Sequence, residues 1–107
     1  MDDYELKNAT ELKVMLYKIE SREYDDVTGS YREWETLVSV APSMDDAVTW
    51  FVRYLRRRVN DKEIPVGVAN ILMRVVGAWL ERDPDDRADR LSFGVYQTIN
   101  VKIIPHV

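Results

Sequence analysis

Apolar and polar residues alternate with period two in three stretches of the chain and recur at helical spacing in two others, in the order β-β-α-α-β. The first stretch, residues 12–19, puts Leu12, Val14 and Leu16 on one face and Met15, Tyr17 and Ile19 on the other. A polar continuation runs on to Tyr24. Residues 25–30 carry turn chemistry, because Asp25 can bond its own backbone and Gly29 can take positive φ. The second stretch, 31–40, sets Trp34, Thr36, Val38 and Val40 against Glu33, Glu35, Leu37 and Ser39, so the two strands predict a long hairpin.

Helical spacing follows. Ser43 with Asp46 makes an N-terminal capping box, and Ala47, Val48, Phe51, Val52, Leu55 and Val59 form one apolar stripe as far as Asn60, with Trp50 and Tyr54 beside it. Pro65 fits the first turn of a second helix with Val68, Ile71, Leu72, Val75, Val76, Trp79 and Leu80 on its apolar face, and Pro84 stops it. The short connection favours an antiparallel helix pair. Residues 83–90 read as a polar loop with room for one helical turn. In the last stretch, 91–103, Leu91, Phe93, Val95, Ile99, Val101 and Ile103 alternate with polar or small residues, and only Gln97 breaks the apolar face. This reads as one strand.

The physical solution is a two-layer α+β domain: a three-stranded antiparallel sheet with two helices packed on one face. Val14, Leu16, Val38, Val40, Phe51, Leu55, Ile71, Leu72, Val75, Trp79, Phe93, Val95, Ile99 and Val101 are expected in its core. The periodicity leaves open which hairpin strand the last strand joins.

With 107 residues the chain fits one domain over 1–107, with 1–10 a loose N-terminal segment. A domain of this size can bury a core without covalent staples. Cysteine is absent, which excludes disulfide scaffolds, thiolate metal sites and thiol nucleophiles. The acidic start, with no apolar stretch behind it, does not read as a secretory signal, and no run approaches a membrane span. A cytoplasmic location is expected. The net charge of -4 gives no overall attraction to nucleic acid.

Helices of this length span about 25 Å, whereas the strands could reach about 35–45 Å. Either the strands bend or bulge, or one end of the hairpin extends past the helices. That end carries Tyr24, Tyr31 and Trp34 among Arg22, Arg32, Glu23, Glu33 and Glu35. Aromatic residues with arginine dominate binding hot spots. The plainer reading of Tyr24 and Tyr31 is a cross-strand pair that stiffens the hairpin. The sheet's second face, carrying Met15, Tyr17, Ile19, Leu37, Tyr96 and Ile104, and its open edges could be covered by a second copy of the chain.

Other candidate chemistry is thin. Arg53, Arg56, Arg57 and Arg58 make the densest basic patch and could hold phosphates, but cations also belong at a helix C-terminus. Asp83, Asp85, Asp86 and Asp89 lack the glycine and closing glutamate of a calcium loop. His106 is the single histidine, which leaves no His pair for a metal and no obvious triad. No cofactor, metal or catalytic residue is expected. The leading expectation is a non-enzymatic protein-binding module, an inhibitor or adaptor of the phage-accessory or immunity-protein kind, contacting its partner through Tyr24, Tyr31, Arg32 and Trp34. The alternative is a nucleic-acid-associated regulator using Arg53, Arg56 and Arg57.

Overall fold

The computed structural model describes residues 15–106. The proposed loose segment 1–10, the strand position Leu12 and the core position Val14 lie outside the described residues. The fold is α+β: strands β1 (Tyr17–Asp25), β2 (Ser30–Tyr31) and β3 (Glu35–Ala41), helices α1 (Met44–Asn60) and α2 (Val66–Glu81), a 3-10 turn (Pro84–Asp86), then β4 (Leu91–Val95) and β5 (Ile99–Pro105).

Five antiparallel strands replace the three expected from sequence. β1 and β5 form the centre, paired from Tyr17↔Pro105 to Glu23↔Ile99. β4 lies outside β5, and β2 and β3 lie in succession along the other side of β1. The expected last strand is in fact the β4–β5 hairpin. Its chain reverses at Val95–Ile99, where the Thr98 N–H donates to the Val95 carbonyl (3.0 Å) and Gln97 takes a left-handed φ of 49°. Val95 and Ile99 face each other across the turn, so both arms keep the same apolar parity and the alternation reads as unbroken.

The expected strand 31–40 is also split. The β1–β2 turn forms as its residues dictate: Gly29 has φ 71°, the Val27 N–H donates to Asp25 Oδ1 (2.9 Å), and Tyr24 pairs with Tyr31. Beyond Tyr31 the register slips by one residue before Ser21↔Glu35, and twice more before Tyr17↔Ala41. The first slip is the break at residues 32–34 and the other two are bulges or irregularities of the β1–β3 ladder, and each re-aims the side chains after it. This absorbs the excess strand length foreseen from sequence. It also explains why Val38 is only half-buried and Val40 is 51 % exposed, although both were expected in the core.

α1 crosses β1, β3 and β5, and α2 lies over β4. The helix-facing side of the sheet buries Tyr17, Ile19 and Ser21 of β1, Ala41 of β3, and Ile99, Val101 and Ile103 of β5. Ala47, Val48, Phe51 and Leu55 of α1 and Leu72, Val76 and Trp79 of α2 close the core over them. β1 therefore faces opposite to expectation: Tyr17 and Ile19 point inward and Leu16 is half-buried. Ile71 is 43 % exposed and Val75, Phe93 and Val95 are half-buried, against their expected burial. The capping box is formed, the Asp46 N–H donating to Ser43 Oγ (3.0 Å) and the Ser43 hydroxyl to Asp46 Oδ2 (2.9 Å). Among the described residues, no helix is long and apolar enough to cross a membrane.

Candidate functional site

Both helices lie on one side, which leaves the other face of the sheet uncovered by them. Strand alternation assigns its occupants: Lys18, Glu20 and Arg22 of β1, Asn100, Lys102 and Ile104 of β5, and Ser92 and Gly94 of β4. Charge on the central strands of this face is three cations to one carboxylate, in a chain whose net charge is -4.

Trp34, in the break between β2 and β3, lies across this face. The Arg22 guanidinium carbon stands 4.7 Å from the Tyr31 ring centroid and 4.7 Å from that of Trp34. Lys102 Nζ stands 3.8 Å from the Trp34 centroid. All three separations are within cation–π range, worth roughly 0.5–1 kcal/mol each where solvent reaches them. With its amide oriented to satisfy its neighbours, Asn100 accepts from Arg22 Nε and Nη2, both at 3.1 Å. The Tyr31 hydroxyl accepts the Gln97 N–H (3.1 Å), tying this cluster to the β4–β5 turn. At that turn Tyr96 is 86 % exposed. Between the Trp34–Lys102 ridge and β4 runs a cleft of about 540 Å³ with Gly94 and Asn100 in its lining.

Of the residues expected to contact a partner, Tyr31 and Trp34 come together on the open face. Tyr24 packs edge-to-face on Tyr31, ring centroids 5.2 Å apart, which is the hairpin-stiffening contact foreseen for that pair. Arg32 does not join them. It lies 3.8 Å from Asp25, beside a depression that Glu23 and Glu63 also line. Arg22, Asn100, Lys102 and Tyr96 belong to the cluster and were not among the expected contact residues, although Arg22 was placed at the same hairpin end and Tyr96 on the sheet's second face. Arg22 is two residues from Tyr24 and so shares its strand face, a signal present in the sequence. Lys102 joins only through the pairing of β5 with β1, which no local pattern reveals.

The arginine patch divides. Arg53, Arg56 and Arg57 are exposed on α1, and none has a carboxylate within 4.0 Å among the described residues. Arg58 leaves the patch. Its Nη1 donates to the Tyr54 hydroxyl one helical turn back (2.7 Å) and its Nη2 to Glu23 Oε1 (3.1 Å). Its Nε comes within 2.7 Å of Glu63 Oε2 without hydrogen-bond alignment. Burial works to lower the Arg58 pKa, but the Tyr54 hydroxyl and the Glu23 carboxylate outweigh it and hold the group above its ordinary value. Arg58 thus fastens α1 to β1.

The acidic loop is tied down as well. The Trp79 indole N–H donates to the Ala88 carbonyl (2.8 Å), Arg87 donates to the Leu80 carbonyl (2.6 Å), and Asp83 accepts the Asp85 N–H (3.2 Å). Among the described residues, no three His, Cys, Asp or Glu side chains converge as metal ligands. Compared with protein-family models, curated proteins and solved structures, the chain matches none.

Proposed function

We propose that this domain is a non-enzymatic protein-binding module, of the inhibitor or adaptor kind, and that it meets its partner through the open face of the sheet. The observation that carries this reading is the cluster of Tyr31, Arg22, Trp34 and Lys102 on the side the helices leave uncovered. Tyr, Trp and Arg dominate interface hot spots: Tyr and Trp combine a large apolar area with a polar handle and little rotamer entropy to lose, and Arg brings a charged, planar fork of donors. The exposed Tyr96 ring extends the same surface to the sheet's end. A second reading, a nucleic-acid-associated regulator, is favoured by Arg53, Arg56 and Arg57, which project from α1 without a carboxylate partner among the described residues.

The test is affinity capture from a lysate of the native cell, with and without nuclease. The baits are the wild-type chain, Trp34→Ala, Lys102→Gln, and a triple variant with Arg53, Arg56 and Arg57 changed to Gln. The Lys102→Gln variant should retain stability within about 1–2 kcal/mol, since a half-buried cation–π contact is what is lost. Capture that survives nuclease, disappears with Trp34→Ala, weakens with Lys102→Gln and persists in the triple variant is the expected result. Capture that disappears with nuclease or in the triple variant, and is indifferent to Trp34 and Lys102, would replace this reading with the second.

A further inference from the structure

We infer that the occupant of the open-face cleft is an extended peptide segment of a protein partner that presents a carboxylate to Lys102 and Arg22; this rests on the binding-module reading above. Charge comes first. Arg22 and Lys102 line the cleft, no carboxylate does, and neither cation has a carboxylate within 4.0 Å among the described residues. The one acid on that part of the face, Glu20, is paired instead with Lys18 (3.4 Å). Arg22 is held rigidly by two rings and the Asn100 amide, so little ordering is needed when an anion arrives.

Shape comes second. The cleft runs along β4, bordered by residues 92–96, and its floor at Gly94 has no side chain. Among the described residues, no strand pairs with the outer side of β4. A peptide added there would gain main-chain hydrogen bonds and turn alternate side chains toward the face. The positive strip is also short. Glu20 stands opposite Lys102 in the β1–β5 register and interrupts the cations there. A phosphate backbone continuing along β1 past the two cations would meet this acid, whereas a single carboxylate would not. This favours an acidic peptide over single-stranded nucleic acid.

The test is an amide chemical-shift titration of the full ¹⁵N-labelled chain. The probes are an octapeptide of alternating valine and glutamate, its valine–glutamine counterpart, and octathymidylate. The glutamate peptide is expected to move the amides of Ser92, Gly94, Asn100 and Lys102. The glutamine peptide should bind about tenfold more weakly, the worth of one charge-assisted hydrogen bond, and Lys102→Gln should erase that difference. Octathymidylate moving the same amides at lower concentration would overturn the inference. So would peptides that leave those amides unmoved, or shifts there that depend on protein concentration alone and so mark a second copy. If the peptides fail while lysate capture still depends on Trp34, the binding module stands and only the acidic segment falls.

Discussion

Phe51→Ala is expected to destabilise the domain by about 3–5 kcal/mol, the range for truncating a buried aromatic. Phe51 has 0 % of its surface exposed and stands at the meeting point of the two layers. Its ring meets Phe93 of β4 edge-on at 5.6 Å and Tyr54 of its own helix at 5.9 Å. The loss includes the transfer term of the ring, the contacts with both partners, and a cavity that a helix fastened to β1 through Arg58 cannot easily close. A domain with a total stability of about 5–15 kcal/mol would then have little in reserve. Urea denaturation followed by tryptophan fluorescence measures this. The midpoint should fall steeply with an unchanged slope. A drop below about 1 kcal/mol would mean that the layers do not pack through this ring.

Gly94→Ala is the second large effect, and its cause is steric. A Cβ at this position would collide with the Ile99 carbonyl oxygen and the Asn100 side chain on the paired strand. The backbone atom cannot rotate away, so the β4–β5 hairpin must open locally. Overpacking of this kind costs about 1–3 kcal/mol, and a carbonyl as the obstacle argues for the upper end. About 2–3 kcal/mol in a domain of this size lowers Tm by roughly 10–20 °C. Ser92→Ala, two residues away on the exposed face, is the control and should stay within about 0.5 kcal/mol. Thermal unfolding of the two variants side by side decides it, and equal midpoints would contradict the close approach of β4 to β5.

The helices were legible because their determinants are local. The Ser43 and Asp46 box, the spacing of Ala47, Val48, Phe51 and Leu55, and Pro65 at the entry to α2 all act within one or two turns. The β1–β2 turn was legible for the same reason, through Asp25 and Gly29. The β4–β5 turn was not. Tyr96, Gln97 and Thr98 include none of the usual turn residues, and Gln97 takes its positive φ because tertiary partners hold it: the Tyr31 hydroxyl receives its N–H, and the Tyr24 N–H donates to the Thr98 carbonyl. The inward face of β1 was misassigned because Leu16 and Ile19 are both apolar and the pairing with β5 decides between their faces. The same holds at the site. Residue type pointed to Tyr31 and Trp34, but Arg22 and Lys102 meet Trp34 only because two strands distant in sequence lie side by side and the break between β2 and β3 lays the tryptophan across them. Conversely, Arg58 looked like part of a solvent patch, and only the fold returns it to Tyr54 and Glu23.

The central claim is that the open sheet face, and not the helix layer, meets the partner. Amide and indole signals of the ¹⁵N-labelled chain, recorded with and without the captured partner, test it most directly. Attenuation confined to Ser92, Gly94, Tyr96, Asn100, Lys102 and the Trp34 indole, with Arg53, Arg56 and Arg57 undisturbed, is the predicted result. Attenuation centred on Arg53, Arg56 and Arg57, with the Trp34 indole unchanged, would contradict it.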